Sequence, residues 1–205
     1  PDPNQILREK WAEDLGDLEE EWTEALMSPR ESVIRARFRL VQLKILHRVY
    51  YTSTRLARMG RSNTGMCNRG CGQTCTFYHI LWDCPKIRAY WSEIQQLIVT
   101  LLGEGNVLSP KLCLLNIWEA TDLNRAQRTW LTLALMIAKH NIAKHWGAKG
   151  APLVKDWKCD LDWCMIAERV IYEGRGCPTK WIKIWKAWNA YRGNVCSESI
   201  GVIQD

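Results

Sequence analysis

Phenylalanine is almost missing from this chain of 205 residues: there are 2, against 12 tryptophans. Large apolar volume must therefore come from indole rings, and each buried indole brings an N–H that needs an acceptor. No run of about 20 apolar residues is present to span a bilayer, and no stretch has the form of a secretory signal. The expectation is an intracellular protein, cytoplasmic or nuclear, with no membrane partner. Catalytic signatures are absent too: the chain has no glycine-rich phosphate loop, no H-E-x-x-H, no G-x-S-x-G and no Tyr-x-Asp-Asp. Asp156, Asp160 and Asp162 read as a solvated helix surface rather than a magnesium cluster. His140 and His145 are five apart, a step that takes them off a common helical face, so they read as core or surface histidines. No enzyme is expected.

Cysteine, by contrast, is plentiful. There are 9, an odd number, which without an export signal points to a reducing compartment. Four potential ligands lie close together in CNRGCGQTCTFYHILWDC, where Cys67, Cys71, His79 and Cys84 have the spacing C-x3-C-x7-H-x4-C. Three thiolates and an imidazole make a full tetrahedral set for zinc, and a full set belongs to a structural site, since a catalytic zinc keeps a position for water. Gly70 and Gly72 flank Cys71, where they let the backbone turn around an ion. Cys75 falls in the same loop and competes with Cys71 as a ligand. A disulfide, or free buried thiols, are the competing readings of the cluster.

Charge is unevenly placed. The formal net charge is +6, but residues 1–31 hold ten acidic and three basic side chains, whereas residues 35–61 hold eight basic ones and no acid. The basic block leads straight into the cysteine-rich loop. Arg48, Arg55, Arg58, Arg61 and Arg69 bring positive charge to it, and guanidinium forks suit phosphate oxygens. Tyr50, Tyr51, Phe77, Tyr78 and Trp82 add rings on which unpaired bases can stack. The plainer reading makes the rings core and the arginines a solvated face.

Apolar periodicity predicts a mostly α protein: a helical domain carrying a small zinc-stapled knuckle of Cys-Cys-His-Cys type. Pro1–Asn4 reads as a frayed lead-in, and residues 5–27 as one amphipathic surface helix with a solvated acidic side; the alternative packs that acidic face on the basic helix that follows. Ser28-Pro29 reads as the start of that second helix, running to about residue 50 with Val33, Ile34 and Phe38 among its apolar positions. Thr52 or Ser53 caps a short helix ended by Gly60. Further helices are expected after Pro85, over roughly 123–146 with Asp122 or Asn124 as cap, from Ala151-Pro152, and over 179–192. Residues 110–118 are apolar and ambiguous, with helix preferred over buried strand. Three segments follow: 1–62, acidic then basic helices; 63–102, the knuckle and its helix; and 103–205, a tryptophan-rich helical region.

The run TSTRLARMGRSNTGMCNRGCGQTCTFYHILWDCPKIRAYW resembles the C-terminal segment of the reverse-transcriptase protein of LINE-type non-LTR retrotransposons, vertebrate forms in particular. Thr54-Arg55, the ligand set Cys67, Cys71, His79 and Cys84, and then Trp82, Pro85 and Trp91 carry the likeness. More weakly, Ile137 to Trp146, Ala151-Pro152, Trp157, Tyr172 and the Trp181–Trp188 stretch keep the family's order, so the resemblance spans about residues 30–190. It implies a nucleic-acid-binding module that holds element RNA or target DNA beside a polymerase, while the polymerase and endonuclease centres of such a protein are absent from this sequence. The chain would then be a fragment or a relic. The function expected is a non-catalytic, zinc-stabilised module binding RNA or single strands, with DNA and the polymerase portion of a longer protein as further partners. The alternative is a helical protein-interaction scaffold in which zinc is purely structural.

Overall fold

The computed structural model describes residues 2–31, 35–62 and 64–201. The fold is helical, as the periodicity predicts, and no strand occurs among the described residues. Among the described residues eight α-helices follow in order: α1 Pro3–Leu15, α2 Trp22–Glu31, α3 Ala36–Leu46, α4 Ser53–Arg58, α5 Pro85–Leu102, α6 Arg125–Lys144, α7 Val154–Gly174 and α8 Pro178–Gly201. Two five-residue π-helical turns, His79–Asp83 and Lys111–Leu115, interrupt the connections. None of the described helices is long and apolar enough to cross a membrane.

Helix α6 is the axis of the molecule. An unbroken run from Trp130 to Ile142 is buried, and α3, α7, α8 and the Lys111–Leu115 turn pack around it. Its start is a capping box: Asn124 accepts from the N–H groups of Ala126 and Gln127 while the Gln127 side chain accepts from the Asn124 N–H. The buried residues form one cluster from Trp11 to Trp188. Indole N–H groups pin elements together within it. Trp11 donates to the Leu46 carbonyl (2.8 Å), Trp91 to Leu81 (2.9 Å), Trp157 to Ala134 (2.8 Å), and Trp185 to the Glu168 carboxylate (3.1 Å). Tryptophan thus supplies the volume that phenylalanine would give and adds directional bonds that fix which helix meets which.

The amino-terminal part differs from the sequence expectation in three ways. Residues 2–4 of the lead-in are ordered, because Asp2 caps α1 and Pro3 opens it. The single helix over 5–27 is broken at Gly16 (φ 80°), where the chain turns before Leu18 is buried. Ser28 and Pro29 do not begin a helix but lie inside α2. Proline has no N–H for the Ala25 carbonyl four residues back, and the Ser28 hydroxyl donates to that carbonyl instead (3.0 Å), so the helix continues. The next helix, expected to reach residue 50, ends at Leu46. Arg48 adopts φ 51° and the Val49 N–H closes on the Lys44 carbonyl (2.9 Å), a left-handed stop that normally takes glycine. Here Arg48 is held there by Asp14, with which it pairs, and by Trp11, over whose ring its guanidinium lies at 4.4 Å. Val33 and Ile34 fall outside the described residues. Most of the acidic side chains of this part are exposed, as the solvated reading expects, and Asp14 reaches the basic block through Arg48. Two others reach the 111–118 segment: Lys111 binds Glu21 (2.7 Å), and Glu24 accepts from the Trp118 N–H (3.2 Å).

Lys139 on α6 is fully buried, and its amine donates to the Asn116 side chain (2.9 Å). Burial brings it down from the usual lysine value to about 7, with the nearby Cys113 pulling the other way. Unfolded chain therefore holds this proton over the window from about 7 to 10.5 and folded chain does not, so this group makes stability rise with pH across that window. Lys139→Met leaves the Asn116 oxygen without its donor, at a cost of about 1–3 kcal/mol, but removes a larger charge-burial penalty. The variant is expected to melt several degrees above wild type at pH 7, with the difference shrinking towards pH 10. Thermal melts across that range check it.

Candidate metal centre

The loop between α4 and α5 is short of regular structure and rich in turns. Residues 65–75 close on themselves: the Cys67 N–H donates to Gln73 (2.8 Å), the Cys75 N–H to Gly65 (2.8 Å), and Met66 bridges Thr74. Gly70 (φ 72°) and Gly72 (φ 77°) give the tight turn on either side of Cys71 that the sequence suggests. His79 opens the π-helical turn, with its backbone N–H bonded to the Thr76 hydroxyl (3.0 Å), and Cys84 is the residue immediately before Pro85 at the start of α5.

This arrangement brings Cys67, Cys71, His79 and Cys84 together, with their ligand atoms all within 4.8 Å of one another. Cys67 Sγ is 3.9 Å from Cys84 Sγ, and Cys71 Sγ is 3.3 Å from His79 Nε2. Sulfurs about 2.3 Å from a tetrahedral ion sit ~3.8 Å apart, and a sulfur and an imidazole nitrogen sit ~3.6 Å apart. The four side chains are thus a cluster able to coordinate a metal ion. Cys75 is not part of it; it is fully buried, and its carbonyl accepts from the Thr54 hydroxyl (2.8 Å). Burial pushes the Cys67 thiol up to about 12. Burial alone would raise Cys84 as well, but the N–H groups of Lys86 and Ile87 at the head of α5, with the Cys67 contact and the Arg69 charge, together outweigh it and lower that thiol.

Arg69 corrects the sequence expectation. Rather than lining a surface, it is 2% exposed, donates to the Ile80 carbonyl (3.0 Å) and lowers Cys84 through its charge. Three thiolates and a neutral imidazole around a divalent ion leave one net negative charge, and a buried guanidinium beside them balances it. Arg69→Ala is expected to weaken metal affinity about 10–100-fold, measured by competition with a coloured chelator, with Arg69→Lys recovering part of the loss.

The remaining predicted contacts divide into two groups. Phe77 is buried, edge-on to Trp11 (5.9 Å) and near Trp146 (5.5 Å), so it belongs to the core and offers no stacking face. Arg48 is mostly taken up by Asp14 and Trp11. Tyr78 is half-buried. Arg55, Arg58 and Arg61 are exposed, and none of them has a carboxylate partner among the described residues. Two of the three ride on α4, which is fastened to the metal loop. Thr52 caps it by accepting from the Arg55 N–H (3.2 Å). Ser53 donates to Asn68 (2.7 Å), and Thr54 to the Gly65 and Cys75 carbonyls. Arg55 also lies over the exposed Tyr51 ring at 4.5 Å, a ring–guanidinium pair at the outer edge.

No protein-family model matches the chain.

Elsewhere, Asp160, Asp162 and the two histidines set aside in the sequence have structural contacts. Asp160 pairs with Lys144 (3.2 Å), and Asp162 with Arg192 (3.1 Å) and the Trp188 indole (2.9 Å). The His145 ring bonds the Asn141 carbonyl (2.9 Å), and His140 is buried edge-on to Phe38.

Proposed function

We propose that this chain is a zinc-stabilised helical module that binds RNA or other single-stranded nucleic acid, in the role implied by its resemblance to the C-terminal segment of LINE-type reverse transcriptases. One observation carries the reading: α4 presents Arg55 and Arg58 outward, unpaired by any described carboxylate, while Ser53 and Thr54 of the same helix fasten it to the metal loop. A rigid mount for guanidinium groups reduces the ordering cost of gripping phosphates. Zinc is the ion that three thiolates and one imidazole suit best, and with four protein ligands it serves as a cross-link and leaves no position for substrate. The reading therefore gives the module no catalytic step of its own. Backbone contacts of this kind position a strand and carry little sequence information.

The test is a titration of labelled single-stranded RNA over a salt series. Binding is expected at low salt, with log K falling linearly against log salt. A salt-independent affinity, or none at low salt, refutes the proposal.

A second reading, a protein-interaction scaffold, is favoured by a different surface. On α7, Trp163 (70% exposed), Ile166 (55%) and Val170 (67%) follow one another at three- and four-residue steps and present an apolar stripe to solvent. In that reading the stripe holds a neighbouring domain such as a polymerase body, and association fails in Trp163→Ser while RNA binding persists.

A further inference from the structure

Beside the metal loop, α1 and the α3–α4 connection enclose an open groove of about 580 Å³. That is within the ~300–1,000 Å³ typical of small-ligand sites. Lys10 and Glu13 line it from α1, Arg55 and Arg58 from α4, and Tyr50 from the connection between them. Phe77 also lines it. Tyr50 is half-buried, its ring stacked on Trp146 at 4.8 Å, so the aromatic wall is backed by the core and does not swing away. The groove's α4 edge carries the cations Arg55 and Arg58, while its α1 edge carries the carboxylates of Glu13 and Asp14 beside Lys10. Asp14 is already consumed by Arg48. Glu13 is exposed and near enough to Arg48 to influence it, yet no described donor bonds its oxygens.

We propose that this groove takes a single unstacked guanine nucleotide from a bound strand, with its phosphate on Arg55 and Arg58, its ring against Tyr50 and its Watson–Crick edge on Glu13. The inference rests on the nucleic-acid reading above and adds a base preference to it. A carboxylate in a polyanion site opposes the backbone, so beyond its pull on Arg48 Glu13 serves a bound strand only where the ligand offers donors. Ionised glutamate has two oxygens that accept and no proton to give. Guanine presents N1–H and the N2 amino group side by side, matching both oxygens. Uracil presents one N–H between two carbonyls, which the carboxylate repels. Adenine and cytosine each present an amino group next to a lone pair. Unpaired bases are commonly read on this edge while stacked on a ring.

The test compares two labelled strands by fluorescence anisotropy at one low salt concentration: an oligouridine, and the same strand with one central guanosine. Wild-type protein is expected to bind the guanosine strand about tenfold more tightly. Glu13→Ala is expected to bind both equally, and with slightly raised affinity because a negative charge is gone. Alanine at an exposed helix position keeps α1 intact, and circular dichroism checks that it does. Equal affinities in the wild type overturn the groove assignment while leaving the nucleic-acid reading standing, as does a guanosine preference that survives Glu13→Ala. Failure to bind either strand overturns both.

Discussion

Cys84→Ser is expected to strip the protein of stoichiometric metal and to lower its melting temperature by roughly 8–16 °C, which is what about 4 kcal/mol amounts to in a domain of this length. The size follows from position. Cys84 anchors α5, Cys67 and Cys71 belong to the turns after α4, and His79 opens the turn between them. An ion held by all four therefore ties the loop to the helix that packs beneath it. Zinc bound by short peptides contributes ~10–16 kcal/mol of apparent binding energy to folding. Here part of the loop is already held by Thr54, Arg69 and the Trp91 indole, so only a fraction is lost with the metal. Cys75→Ser is the control. Its thiol stands outside the cluster, and that variant should keep its metal and lose only the packing of one small buried group. Metal content and thermal melts of the two variants decide the matter. Equal metal and equal melting in Cys84→Ser and wild type would remove the centre altogether.

Replacing Arg55, Arg58 and Arg61 together by alanine is expected to reduce single-stranded RNA affinity at least tenfold at low salt, across unrelated sequences. Each phosphate contact on a single strand contributes about 0.7 to the salt slope, so losing three should make that slope shallower by roughly 2. Stability should barely move, because the three side chains are exposed and none of them forms an ion pair with a described residue. This separates them from Arg48 and Arg69, whose replacement damages folding or the metal centre before it touches any ligand. An unchanged salt slope in the triple variant would mean that the strand is held on another face.

How far these residues can be told apart from sequence is instructive. The five arginines look alike in the primary structure: all lie in or next to a block free of acids. Two of them are structural. Arg48 became so because helix α1, brought back across the chain, places Asp14 and Trp11 against it. Arg69 became so because the turn that carries it is drawn inward by the flanking cysteines, and a buried cluster of thiolates requires a compensating cation. Glu13 and Lys10 do not stand out in the sequence as groove-lining residues for the same reason. Both belong to an apparently ordinary acidic helix, and only the docking of that helix beside α4 makes a groove of them. Phe77 illustrates the reverse error: an aromatic residue two positions before a ligand suggests a stacking ring, but the chain needed it between Trp11 and Trp146.

From the linear order of residues came the helical class, caps at Thr52 or Ser53 and at Asp122 or Asn124, a long helix over roughly 123–146, and the Cys67, Cys71, His79 and Cys84 cluster with its glycine-flanked turn. These depend on local physics: periodic burial, capping and the short reach of neighbouring side chains. Left to the folded chain were the break at Gly16, the passage of α2 through Pro29, the early end of α3 at Arg48, and the sorting of arginines into exposed and buried. Each of those turns on a partner dozens of residues away or on a hydroxyl standing in for a missing N–H, and no pattern within a short window of sequence encodes a distance between segments that only packing brings together.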